Sequence, residues 1–176
     1  MKKAQDILIV GYGDIGRRVA RKLRGCRRYR ISALVRRSPT KSIAAEKAGC
    51  YGVHFVRGDL GDFHSLQNLT PRPDVVLHFA PPPGYGQSDE HTKNLLRALD
   101  AADRFRPNSL RAKRRMLPRQ IVYISTTGVY GDCQGTWIDE TRALKPESVR
   151  AKRRVDAEQR LRRWGRKRDV AITVLR

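Results

Sequence analysis

Gly11, Gly13 and Gly16 form a Gly-x-Gly-x-x-Gly pattern that directly follows the aliphatic run Ile7-Leu8-Ile9-Val10. Glycine at the first position permits a tight turn, and at the second it leaves bare backbone against a pyrophosphate. At the third it lets the following helix pack close to the strand. The N–H groups opening that helix, around Asp14, Ile15 and Gly16, then face the phosphates, where the helix dipole favours negative charge. A bland strand-turn-helix would show the same glycines, but the strand before, the helix after and the N-terminal position are all as a dinucleotide site requires.

Other residues with chemical potential fall at predicted strand ends. Arg36 and Arg37 end the second strand, where an acidic side chain would bind the 2′-hydroxyl of NAD and arginine accommodates the 2′-phosphate of NADP. No carboxylate stands there, so NADP is favoured as cofactor, with NAD possible. Asp59, in Gly58-Asp59-Leu60, sits where a strand end reaches an adenine amino group or simply closes a solvated turn. Phe79 and Ala80 lead from the fourth strand into Pro81-Pro82-Pro83-Gly84-Tyr85-Gly86, a stiff loop at the cofactor edge. His78 there is either a cofactor or substrate contact or a satisfied core residue. The fifth strand delivers the hydroxyl cluster Ser125-Thr126-Thr127.

Elements able to position these residues follow in alternation. Strands are predicted over residues 7–10, 30–35, 51–56, 74–79, 120–124 and 169–176. Helices are predicted over roughly 14–23, 41–48, 63–69 and 88–103, with a long helix ending at 156–159. Residues 104–119 form a basic connector without lasting periodicity. Strands alternating with helices indicate an α/β doubly wound parallel sheet in the order 3-2-1-4-5-6, with right-handed crossovers.

The chain has 176 residues, enough for one domain with a real core (residues 1–176) and too few for two ordinary ones. No apolar run approaches a membrane span and no signal-peptide pattern opens the chain, so neither a membrane partner nor secretion is expected. Cys26, Cys50 and Cys133 lack metal-ligand spacing, which indicates reduced thiols in a cytoplasmic protein and no metal site. Charge is the anomaly: 38 Lys and Arg stand against 17 Asp and Glu, a formal net charge of +21. Such a balance would attract nucleic acid as a partner through charge alone, yet the basic residues are spread over every predicted helix and several loops without a recognition motif. Compositional drift or a missing acidic half explains the excess equally well, and oligomeric state stays open.

The strand ending in Ser125-Thr126-Thr127, followed by Gly128-Val129-Tyr130-Gly131, resembles the active-site strand of the extended short-chain dehydrogenase/reductases, the NAD-dependent epimerase/dehydratase proteins included. Gly58-Asp59-Leu60, Asp139-Glu140 before Pro146, and the helix with Asp156-Ala157-Glu158-Gln159 extend the resemblance over residues 6 to 176. It implies a Rossmann fold, a nicotinamide dinucleotide and a carbonyl, hydroxyl or sugar-nucleotide-like small-molecule substrate. It assigns Thr126 to the catalytic Ser/Thr position.

The family's Tyr-x-x-x-Lys pair falls on Arg150 and Arg154, counted back from Glu158. Arg150, Arg154, Ala157, Leu161 and Trp164 share a helical stripe, so both arginines are expected to face the sheet. Arg154 can hydrogen-bond the ribose, whereas Arg150 cannot act as a general acid, because guanidinium is in effect never deprotonated. Tyr85, Tyr130 and His78 are possible substitutes. The family's usual Gly-x-x-Gly-x-x-Gly would need glycine at Val10, so the chain resembles an atypical subgroup. Family members also continue past the sixth strand, which implies a truncated chain without its substrate-binding region. The expected function is an NADP-binding protein of the epimerase/dehydratase type. A non-catalytic NADP(H) sensor is the alternative, and nucleic-acid binding the weaker third.

Overall fold

The computed structural model describes residues 4–37, 52–67, 69, 72–104 and 117–176. Among them six strands form one sheet: β1 (Gln5–Val10), β2 (Tyr29–Val35), β3 (Val53–Arg57), β4 (Val75–His78), β5 (Gln120–Ile124) and β6 (Ala171–Leu175). Their order is β3-β2-β1-β4-β5-β6, and every pair is parallel. Among the described residues three α-helices lie between the strands: α1 (Asp14–Leu23), α2 (Glu90–Arg104) and α3 (Val149–Arg168). The doubly wound arrangement expected from the alternation of patterns is the one observed.

Strand β1 is aliphatic at consecutive positions because both of its faces are buried. Ile7 and Ile9 pack with Ala20 of α1 and with Ile31 and Ala33 of β2. Leu8 and Val10 point the other way, into a core shared with Leu95 and Leu99 of α2 and Leu161 and Trp164 of α3. Helix α1 therefore covers one face, and α2 and α3 cover the other. At the amino edge Asp6 is buried and takes a bidentate hydrogen bond from Arg30 of β2, at 2.6 and 2.8 Å. The carboxyl edge is left for the loops.

Some boundaries differ from the sequence reading. The predicted helix 63–69 is a single 3-10 turn, Phe63–Leu66, capped by Asp62, whose side chain accepts from the His64 N–H. The long helix does not stop near Gln159 but runs to Arg168, where Asp169 adopts the left-handed conformation and ends it. The predicted helix 41–48, most of the connector 104–119 and Cys50 lie outside the described residues. Cys26 and Cys133 are free thiols. No described helix is long and apolar enough to cross a membrane, and no described cluster of His, Cys, Asp or Glu could hold a metal ion.

Candidate functional site

The glycine loop is built as the pattern demands. Gly11 has a φ of +97°, and a Cβ there would lie 2.4 Å from the Ala80 backbone nitrogen. Both Phe79 and Ala80 donate their N–H to the Val10 carbonyl, so this close approach locks the end of β1 to the end of β4. A Cβ on Gly16 would lie 2.5 Å from the Gly11 carbonyl oxygen and 3.2 Å from Cγ2 of Ile9, so only glycine lets α1 seat this closely. At Gly13 a Cβ would meet nothing within 4 Å. No side chain caps α1, so the amides of its first turn, from Asp14 through Gly16, have no intrahelical partner. Bare space over free N–H groups at a helix N-terminus fits a pyrophosphate.

Around this cradle, Arg36 and Arg37 are exposed just past the end of β2, two strands from the loop's far wall. Asp59 is half-buried beyond β3. One of its carboxylate oxygens accepts from the Gly61 N–H at 2.9 Å, while Ser65 donates its hydroxyl to the Asp59 carbonyl. Part of Asp59 thus serves its own turn. Leu60 is buried in the core with Leu66, and its carbonyl accepts from the Asn94 side chain at 2.8 Å, tying this turn to α2.

At the end of β5 the hydroxyls divide their roles. Ser125 is buried and donates to Glu158 of α3. Thr126, half-buried, caps the 3-10 turn Thr127–Tyr130 by accepting from the Gly128 N–H at 3.3 Å. Tyr130 is buried, and its hydroxyl takes a hydrogen bond from Arg176 at 3.0 Å. Arg176 also donates to Glu158, with Nη2 to Oε2 at 2.7 Å and Nε within 3.2 Å of both carboxylate oxygens. The Ser125–Glu158–Arg176–Tyr130 network is not evident from sequence. Its one signal there is a carboxylate inside a very basic helix.

Helix α3 departs from the predicted stripe at its beginning. Arg154, Ala157, Leu161 and Trp164 are buried as expected, but Arg150 is exposed. It lies in the opening turn, where Ala151 is the residue turned inward. Arg154 donates from Nη1 to the Ile124 carbonyl at 2.6 Å and to the Tyr123 hydroxyl at 3.1 Å. Burial pushes the Tyr123 phenol up to about 12, with the Arg154 charge pulling the other way. Of the substitute proton donors, Tyr85 is 73% exposed on its loop, and Tyr130 is engaged by Arg176.

His78 is a core residue. It is fully buried, with Nε2 2.8 Å from the Thr92 hydroxyl, which itself donates to Asp89 at 2.8 Å. Asp89 also caps α2 by accepting from the Thr92 N–H at 3.0 Å. That order makes Nε2 of His78 the donor to Thr92. Burial, with a smaller contribution from the Arg154 charge, lowers its pKa to about 3. The unfolded chain binds this proton below about 6.5 and the folded chain does not until about 3, so stability should fall with pH across that window. The slope from this group is about 1.4 kcal/mol per pH unit. Asp89, whose pKa burial raises, works in the opposite direction. Thermal melts between pH 7 and 4 should show a weaker acid loss in His78→Gln than in the parent; parallel curves would show that His78 does not carry it.

A doubly wound parallel sheet, with a glycine-lined helix N-terminus at its carboxyl edge between β1 and β4, defines a Rossmann-like α/β protein. Residues 7–176 match the model of the NAD dependent epimerase/dehydratase family, and the chain belongs to that family. No curated protein matches in sequence. Among solved structures, the chain resembles the UDP-Glc/GlcNAc 4-epimerase of Campylobacter jejuni with a TM-score of 0.77 and 20% identity, covering 97% of this chain and 52% of that one. It also resembles the UDP-glucuronic acid 4-epimerase of Bacillus cereus, solved with UDP-glucuronic acid and NAD (TM-score 0.70, 21% identity, 97% and 55% covered). A dTDP-glucose 4,6-dehydratase from Streptomyces venezuelae, solved as a double mutant with NAD bound, is similar at TM-score 0.71 and 21% identity, with 96% and 54% covered. At these identities the likeness is one of fold. The chain spans about half the length of these structures.

Proposed function

We propose that residues 1–176 form one nicotinamide-dinucleotide-binding domain of an epimerase/dehydratase-type protein that works on a carbonyl, hydroxyl or sugar-nucleotide-like substrate. The observation that carries this reading is the glycine loop. Gly13 opens onto empty space above the uncapped first turn of α1, while Gly11 and Gly16 are held by backbone contacts that no larger residue permits. In this reading the amides around Asp14, Ile15 and Gly16 hold the pyrophosphate, and Asp59 and Leu60 border the adenine. Phe79 and Ala80 line the cofactor's path, and Arg154 reaches its ribose. The nicotinamide, when bound, supplies hydride exchange. Thr126 orients the substrate oxygen with its hydroxyl.

The reading extends to cofactor choice. Arg36 and Arg37 lie exposed past the end of β2 with no carboxylate beside them in sequence, which favours the 2′-phosphate of NADP over the ribose diol of NAD. The B. cereus and S. venezuelae enzymes were solved with NAD, so NADP would set this chain apart from them. A 2′-phosphate meeting arginine gains charge-assisted hydrogen bonds, each contributing roughly 1.5–3 kcal/mol. Calorimetric titration should therefore show tighter binding of NADP(H) than NAD(H). Arg36→Ala should weaken NADP about tenfold or more on that scale while leaving NAD nearly unchanged. Equal affinities in the parent chain would remove the NADP assignment, and no binding of either would remove the reading itself.

A further inference from the structure

Arg153 and Arg154 carry two positive charges into the protein with no carboxylate bonded to either among the described residues. Arg153 is 9% exposed and Arg154 6%. Arg153 donates from Nη1 to the Gly86 carbonyl at 2.9 Å, and Arg154 donates to the Ile124 carbonyl and the Tyr123 hydroxyl. The buried Nε of each has no acceptor. Buried charges are ordinarily paired, because desolvation costs several kcal/mol per ion. The acids nearby are already engaged. Asp156 pairs with Arg160 at 2.7 Å and accepts from the Asp89 N–H, and both Asp89 carboxylate oxygens accept from Thr92. Asp89 feels the Arg154 charge without a hydrogen bond to it.

The surroundings suit a ligand. Both guanidinium groups hold backbone at the carboxyl edge of the sheet: Ile124 ends β5, and Gly86 lies on the loop that follows β4. On that loop a Cβ at Gly84 or Gly86 would meet nothing within 4 Å, so its backbone is bare. Arg150, exposed, precedes Arg153 and Arg154 by three and four positions, a spacing that places all three side chains on one side of the helix. Ordinary surface arginines would not explain two that are buried and partnered only by neutral acceptors.

We propose that Arg150 and Arg153, with the Arg154 charge beside them, form a subsite for an oxyanionic group, phosphate or carboxylate, on the substrate. Arg153, bonded to the Gly86 carbonyl, ties the start of α3 to the Gly84–Gly86 loop beside it. This subsite deepens the reading of the protein as dinucleotide-dependent and rests on it. The arginine at the usual tyrosine position then neutralises substrate charge in place of supplying a proton.

The proposal is tested by titrating the 176-residue chain with inorganic phosphate, and separately with malonate, by calorimetry at an ionic strength of about 0.15 M so that diffuse attraction to the basic surface is screened. The titration is done with NADPH saturating, to block the glycine loop, and repeated without it. Saturable binding is expected, weakened about tenfold by Arg153→Met and by Arg150→Ala, each of which removes one charge-assisted hydrogen bond. Arg163→Ala, which removes an equal charge from the exposed distal part of α3, should change it less than about twofold under that screening. Arg150 is exposed, so its variant keeps the test alive if Arg153→Met fails to fold. Tighter phosphate than malonate binding assigns a phosphorylated substrate, and the reverse a carboxylated one. Absence of saturable binding by either anion, or equal weakening in all three variants, overturns the subsite. Failure of NADPH to bind while the anion still does would overturn the cofactor reading and leave the anion site standing.

Discussion

Glu158→Ala is expected to destabilise the protein by about 3–5 kcal/mol, the range for breaking one side of a buried ion pair. The Glu158 side chain is 2% exposed and that of Arg176 is 15% exposed, so removal of the carboxylate leaves a guanidinium in a poorly solvated place. Ser125 loses its acceptor, and Tyr130 loses the group that orients its donor. These residues join α3, β5, the turn after β5 and the residue following β6, so the loss reaches several elements at once. For a chain of this size the change corresponds to a fall in Tm of roughly 6–20 °C. The pair Glu158→Met with Arg176→Met should recover most of it, because apolar replacement of both partners is often neutral or stabilising. A loss under about 1 kcal/mol in the single variant would place the pair in the class of solvent-screened surface bridges.

The second large effect concerns catalysis, and it follows from Arg150. Reduction of a carbonyl leaves an alkoxide that must be protonated, and a positioned acid contributes about 10²- to 10⁴-fold. Arg150 cannot release a proton near neutral pH. Tyr130 is buried at 5% exposure, Tyr85 is exposed on its loop, and His78 is buried, neutral and bonded to Thr92. Thr126 offers a hydroxyl, which can orient an oxygen and is no proton source at that pH.

The NADPH-loaded chain is therefore expected to lack that general-acid contribution and to reduce carbonyls about 10²- to 10⁴-fold more slowly than a site with a working acid. Arg150→Tyr alone is not expected to restore it, because an exposed position leaves developing charge in water, where preorganised dipoles stabilise it least. An absorbance assay of NADPH against a panel of aldehydes, ketones and sugar nucleotides reads the outcome. Robust turnover by the unmodified chain, lost in Thr126→Ala, would show that another group delivers the proton.

Much of this molecule follows from local sequence. The order and direction of the six strands, the position of α1 and the glycine loop are all legible there. The strand order follows from strands alternating with helices and from right-handed crossovers. The rest has causes within a few residues: an aliphatic run buried on both faces, glycines where backbone must approach backbone, and helical spacing after them. The likeness of Ser125–Gly131 to the epimerase/dehydratase strand is legible for the same reason, since one short segment carries it.

Tertiary structure decided what long-range partners decide. Nothing around Glu158 says that it bonds Ser125 and Arg176, 33 and 18 positions away. A helical stripe places Arg154 correctly because periodicity fixes a face. It misplaces Arg150, because how far a helix overlies its sheet depends on where the chain enters it. Arg153 lies beside that stripe and reads in sequence as one more surface charge. It is buried because the Gly86 carbonyl, 67 positions earlier in the chain, comes back to meet it.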